Sequence, residues 1–220
     1  MTQPSNSNIK GSTLEEQTRL RCDIYLVLAS LFRGAPSDDA LKFLATLETE
    51  QESSEMQSAW QALAVAAQSA DPIALEDEYQ ELFIGVGRGE VVPFGSWHQM
   101  GSLMDKPLAY VRQDLDRLGF EREESVKEPE DHIAALSEVM AMLLPDSEQE
   151  AQAFFNRHIA PWFNDLEKQI REAKSADFYV NVAKLMTTFF EIERVRFSDK
   201  HASNLSLNTI NVKNVTDSIK

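Results

Sequence analysis

Asp131-His132 is the single place in this sequence where a carboxylate and an imidazole stand side by side. Such a pair can move protons if both groups face a common atom. Neighbours on a helix point about 100° apart, and no serine in a nucleophile elbow accompanies them. The competing reading places Asp131 in the first turn of a helix begun by Pro129, where a carboxylate favours the helix dipole and accepts backbone N–H bonds. Gly85-x-Gly87-x-Gly89 suggests a phosphate cradle. It follows a predicted helix rather than a strand, lacks the Lys-Ser/Thr of a P-loop, and brings only Arg88 to a phosphate. The alternative there is a helix C-cap running into tight turns. His98, His132, His158 and His201 are scattered, with no His-x3-His or Cys-x2-Cys pair, so no metal site is expected.

The elements that must position these residues read as helices. Ser12-Thr13 with Glu15-Glu16 offers a capping box, and Leu20, Ile24, Val27, Leu28 and Leu31 then fall on one face until Gly34-Ala35-Pro36. Ser37-Asp38-Asp39 caps a short second helix, and Met56, Trp60, Leu63 and Ala67 mark a third. Asp71-Pro72 is an N-cap followed by the proline favoured at the first helical position; the helix it opens carries Leu75, Tyr79, Leu82 and Phe83 and ends at Gly85. From Gly85 to about Met100 neither period holds, and a structured loop is expected. Phe94 and Trp97 sit in that loop, where they could line a groove with an apolar floor and an acidic rim suited to an amphipathic peptide. Pro107 and Pro129 open two further predicted helices, the second stopped by Pro145, and Ser147-Glu148-Gln149-Glu150 is another capping box. Pro161 bends the chain, and a last helix is expected over 177–197.

No segment alternates with period two long enough to propose a sheet, so the predicted fold is all-α, a helical bundle of about eight to ten helices. The charged stretch Glu121–Glu128 reads as a hinge between an N-terminal helical subdomain, 12–120, and a C-terminal one, 129–198, followed by a weakly ordered polar tail, 199–220.

Twenty-one basic against thirty-six acidic residues give a net charge of −15. That charge disfavours nucleic acid and anionic membranes and attracts a basic peptide, besides serving solubility. The longest apolar-rich run, Tyr25–Phe32, is far short of the roughly 18 residues that span a bilayer, so no membrane insertion is expected. The start of the chain has no secretory-signal pattern, and Cys22, without a second cysteine, is expected as a buried inert thiol. A cytoplasmic location follows.

The ordered blocks Tyr79-x2-Leu82-Phe83-x-Gly85-x-Gly87, Pro93-Phe94-x-Ser96 and Glu128-Pro129-x-Asp131-His132, with Phe154-x3-His158-x3-Trp162 behind them, resemble the TorD/DmsD/NarJ family of cytoplasmic chaperones that mature molybdenum-containing respiratory oxidoreductases. Phe94 stands where many members have tyrosine, and Trp97-His98 matches no family pattern. The resemblance implies a protein that is not an enzyme. It would bind the twin-arginine signal peptide and the immature catalytic subunit of a molybdoenzyme, assisting molybdenum cofactor insertion before export. Within the family the length and loops look most like the TorD branch, whose client is trimethylamine N-oxide reductase. The client-binding residues it implies are Tyr79, Phe83, Gly85, Gly87, Pro93, Phe94, Ser96, Glu128, Pro129, Asp131 and His132. It further implies a monomer or a domain-swapped homodimer, and no cofactor beyond a weak GTP. A guanine-nucleotide-binding switch at Gly85–Gly89 and a non-catalytic helical adaptor are the alternatives.

Overall fold

A computed structural model describes residues 6–47, 54–86, 88–123 and 126–205, with side chains described within 14–198 of those spans. Ten helices follow one another among the described residues: α1 Asn6–Arg33, α2 Asp38–Ala45, α3 Glu55–Ser69, α4 Pro72–Tyr79, α5 Gly95–Met100, α6 Lys106–Leu118, α7 Ile133–Asp146, α8 Glu148–His158, α9 Phe163–Glu172 and α10 Phe178–Leu205. A π-helical turn, Gln80–Ile84, continues α4. The one piece of β pairing among the described residues is an isolated antiparallel bridge between Phe94 and His132. The predicted all-α class is what the chain adopts.

Local capping chemistry sets several boundaries. Ser37 Oγ accepts from Ala40 N, Asp71 Oδ1 from Ile73 N and Ala74 N, and Ser147 Oγ from Glu150 N. Other boundaries differ from the expected ones. The capping box at Ser12 lies inside α1, because no proline interrupts 6–12 and the helix starts at Asn6. Pro129 does not begin a helix: it lies in a turn, its carbonyl accepting from His132 N, and α7 starts at Ile133. Pro145 does not stop α7, which runs one residue further. The stretch expected to be irregular from Gly85 to Met100 contains α5. The last helix continues past Ser198 to Leu205, and 206–220 lie outside the described residues.

Helix α1 packs along α7, and α10 packs against α3 and α9. Burial on α1 follows Ile24, Tyr25, Leu28, Ala29 and Phe32, while Leu20 is exposed and Val27 half-buried. The predicted stripe is therefore right in Ile24, Leu28 and Leu31 and rotated away from Leu20. Tyr25, Phe155, Phe163 and Phe190 fill the centre with edge-on and tilted rings, each such side chain contributing about 1.5–3 kcal/mol on burial. The segment 121–128 divides the sequence, while the core runs across it through the α1–α7 and α3–α10 contacts. Cys22 is half-buried rather than buried, and that burial still raises its thiol pKa.

Candidate functional site

The two irregular connectors of the sequence dock on one another. Ile133 N donates to Pro93 O at 2.9 Å and Gly95 N to Asp131 O at 2.9 Å, which fixes the Phe94–His132 bridge between them. Asp131 is 1% exposed, and its Oδ2 accepts from Ser96 N at 2.7 Å. Thus the Asp131 carboxylate does cap a first turn, but that of α5, 35 residues away in sequence, rather than that of a helix begun by Pro129. Ser96 Oγ in turn accepts from Met104 N at 3.2 Å, where Met104 sits in the left-handed region with φ of 60°.

His132 is the N-cap of α7, its Nδ1 accepting from Ala134 N at 3.1 Å. A nitrogen that accepts must be unprotonated, so the ring carries its proton on Nε2. Burial, with the Arg33 charge as a smaller contribution, pushes the His132 pKa down to about 3. The ring edge packs on Phe94, with centroids 4.9 Å apart. The carboxylate of Asp131 and the imidazole of His132 thus serve two different helix starts, and both are buried. That geometry supplies structural caps and no proton relay.

Tyr79 and Phe83, from the first sequence block, belong to an aromatic wall with Phe32 and Tyr179. Tyr79 Oη donates to Phe32 O at 3.3 Å. The π turn that follows lets Gly85 N reach back five residues to Gln80 O at 2.7 Å, with Gly85 at φ of 59°. Gly89 lies against the same turn so closely that a Cβ there would meet Leu82 O at 2.3 Å. These two glycines therefore let the chain fold back on the π turn. Gly87 lies outside the described residues. Pro93, Phe94, Ser96, Asp131 and His132 are brought together, while Tyr79 and Phe83 stand in the wall of the core.

Beside the docked connectors lies a groove of about 530 Å3 between α1, α6, α7 and residues of 120–123 and 126–130. Leu26, Leu115, Phe120, Val126, Val139 and Met142 give it apolar walls, and Glu128, Glu130 and Glu138 stand along it with Arg33 and Arg122. Phe94 and Trp97, expected to line a groove, are not among its lining residues: Phe94 packs on His132, and the Trp97 ring lies under the Arg88 guanidinium at 4.6 Å. A second cavity of about 590 Å3 lies between α3, α4 and the start of α10. Its Glu78 carboxylate accepts from Asp177, Phe178 and Tyr179 N, so that carboxylate serves as the cap of α10. Among the described residues no group of three or more His, Cys, Asp and Glu is placed to hold a metal ion, and no helix is long and apolar enough to cross a membrane.

Two buried polar clusters join residues far apart in the chain. His158 Nε2–H donates to Asp114 Oδ2 at 2.7 Å, and Arg157 Nη1 reaches the same oxygen at 2.8 Å, tying α6 to α8. Burial raises the Asp114 pKa, but His158 and Arg157 outweigh it and hold the carboxyl below its ordinary value. Arg21 donates through Nε and Nη2 to the two oxygens of Glu193, each at 2.8 Å, and Tyr25 Oη adds a third bond to that carboxylate at 3.1 Å. Only the His158 half of the first cluster was visible, as part of the Phe154-x3-His158-x3-Trp162 spacing.

The family model described as nitrate reductase delta subunit matches residues 49–167. The chain is 26% identical to a chaperone protein TorD of Vibrio cholerae, with 82% of this chain and 90% of that protein covered. It is 24% identical to one of Vibrio parahaemolyticus, over 79% of this chain and 92% of the relative. Its fold is similar to a crystal structure described as that of a redox enzyme maturation protein from Archaeoglobus fulgidus. The TM-score is 0.51 at 21% identity, with 79% of this chain and 93% of that one covered. With an all-helical fold, docked sequence blocks and this match over more than half its length, the chain belongs to the nitrate reductase delta subunit family, the TorD/DmsD/NarJ group of redox-enzyme maturation chaperones.

Proposed function

We propose that the chain binds the twin-arginine signal peptide and the immature catalytic subunit of a molybdoenzyme in the cytoplasm and holds it for molybdenum cofactor insertion before export. Trimethylamine N-oxide reductase is the client we infer, since the curated relatives are TorD chaperones. The observation that carries the reading is the groove, whose apolar walls and glutamate rim adjoin the docked 93–96 and 128–132 segments. A signal peptide presents adjacent arginines and then an apolar segment, which rim and walls meet separately. Exposed guanidinium–carboxylate contacts contribute on the order of 0–1 kcal/mol each, so the apolar segment supplies most of the affinity and the charges set orientation and encounter rate.

Titration of the pure protein with a synthetic twin-arginine leader tests this. Saturable binding that is lost when the apolar segment is replaced by a polar one supports it; no binding by the intact leader overturns it. Recovery of an unprocessed molybdoenzyme precursor with the tagged chaperone identifies the client. A monomer and a domain-swapped dimer are both consistent with the α1–α7 pairing across 121–128, because exchange of either half preserves those contacts.

A further inference from the structure

The cationic end of the groove is already occupied by the protein's own arginines. Glu130 is held from two sides: Arg112 Nε lies 2.9 Å from Oε2, and Arg122 Nε lies 3.6 Å from Oε1. The Glu130 side chain is only 14% exposed, so its carboxylate is largely withdrawn from water and needs cationic partners. The two arginines are not equivalent. Arg112 sits on α6 and makes a hydrogen bond of good length, 2.9 Å. Arg122 sits among residues 120–123 that wall the groove, at ion-pair distance from Glu130 and with a 3.5 Å contact from Nη1 to Glu128 O. A third arginine, Arg33 of α1, spans Glu138 at 2.7 Å and Glu128 at 3.9 Å.

The geometry points to Glu130 as the acceptor for a guanidinium of the incoming peptide, with Arg122 as a resident surrogate that the peptide's arginine displaces. This rests on the reading that the groove receives an arginine-bearing leader. Guanidinium geometry matters because a planar fork can face Glu130 Oε1 and the Glu128 carbonyl together, the two acceptors that Arg122 now faces, whereas a lysine ammonium is a compact point charge. A peptide arginine entering from the groove takes the Oε1 side, where Arg122 is the more weakly held partner, and Arg112 keeps Oε2. The exchange leaves the number of cations on Glu130 unchanged, so the carboxylate is never left uncompensated. It also makes binding selective. An apolar peptide without arginine gains nothing at Glu130, and one with lysine replaces a guanidinium by a point charge.

The test uses the full chain and three fluorescent peptides sharing one leucine-rich segment preceded by two arginines, two lysines or two glutamines. Arg122→Gln removes the surrogate at an exposed position. It should tighten binding of the arginine peptide by about twofold to fivefold, the scale of an exposed ion pair, and leave the glutamine peptide unchanged. Glu130→Gln should reduce the arginine peptide to the affinity of the glutamine peptide; circular dichroism establishes that both variants remain folded. If the arginine peptide binds wild type but Arg122→Gln weakens that binding or leaves it unchanged, the displacement is refuted while the groove reading stands. If none of the three peptides binds wild type, the groove reading fails and the displacement fails with it.

Discussion

His132 should make the protein's stability depend on pH in a calculable way. In the native state the ring is neutral, since its Nδ1 accepts from Ala134 N and burial holds its pKa near 3. In the unfolded chain the imidazole titrates near 6.5. Between those values the unfolded state binds a proton that the native state refuses, so stability is full above about pH 6.5 and is lost as the pH falls toward 3. At pH 5 the unfolded imidazole is about 1.5 units below its pKa, which lowers the unfolding free energy by about 2 kcal/mol relative to pH 7. For a chain of this size that loss corresponds to roughly 4–8 °C in Tm. His98 and His158 are also held low by burial, each opposed by a hydrogen bond, so the wild-type curve contains their parts too. The comparison protein is therefore His132→Asn, whose side-chain oxygen can still cap Ala134 N but does not titrate. Urea unfolding of both at pH 7 and pH 5 should show the wild type losing about 2 kcal/mol more than the variant. Equal losses would mean that His132 titrates as it does in the unfolded chain, and that the buried cap is misassigned.

Asp131→Ala removes the acceptor of Ser96 N and should lower stability by about 1–3 kcal/mol in denaturant melts with little change in helicity, since α5 is short. Glu193→Ala removes two of the carboxylate bonds of the buried Arg21 guanidinium and leaves it the 3.2 Å contact with Glu148, so it should cost about 1–3 kcal/mol, read by the same melts. Gly89→Ala drives a Cβ into the Leu82 carbonyl and should destabilise by more than about 2 kcal/mol, whereas Gly34→Ala, with nothing within 4 Å, should stay within about 0.5 kcal/mol. Calorimetry with GTP and ATP at millimolar concentration should show no nucleotide-specific heat if Gly85 and Gly89 serve only chain packing, and saturable heat would restore the nucleotide-switch reading.

The parts of the fold legible in the sequence were those fixed by neighbours in the chain. Ser37, Asp71 and Ser147 each cap a helix two or three residues ahead, so spacing alone reveals them. What was misread is non-local. The carboxylate that starts α5 is Asp131, and without it a stretch opening on Phe94-Gly95 has no helix signal. Pro129 resembles a helix start because its fixed φ suits that position, but the extended backbone of His132, bridged to Phe94, postpones α7 to the residue after it. Asp114 meets His158 across 44 residues and Arg21 meets Glu193 across 172, separations at which no periodicity carries information. The sequence blocks around the site were visible as irregularities, while the groove beside them needed α1, α6 and α7 in place.

The two walls of the groove are held to different degrees, and this determines what binding has to reorganise. On one side Glu130, Asp131 and His132 are consecutive but directed to three partners: Glu130 to the arginines at the groove, Asp131 to α5 and His132 to α7. Because Gly95 N and Ile133 N fasten that segment to 93–95, displacing Glu130 would break caps on two helices, so this rim is preorganised. On the other side the wall is formed by residues 120–123 and Val126, tied by the Phe120 N to Leu115 O and Val126 N to Glu123 O bonds and by the contacts of Arg122. Its adjustment requires exchange of the Arg122 contacts, which at 3.6 Å and 3.5 Å are longer than the 2.9 Å Arg112–Glu130 bond on the other side. Affinity gains should therefore come from changes at 120–123 and Val126, where reorganisation exchanges the longer contacts, and changes at 131–132 should register first in stability and only through it in binding.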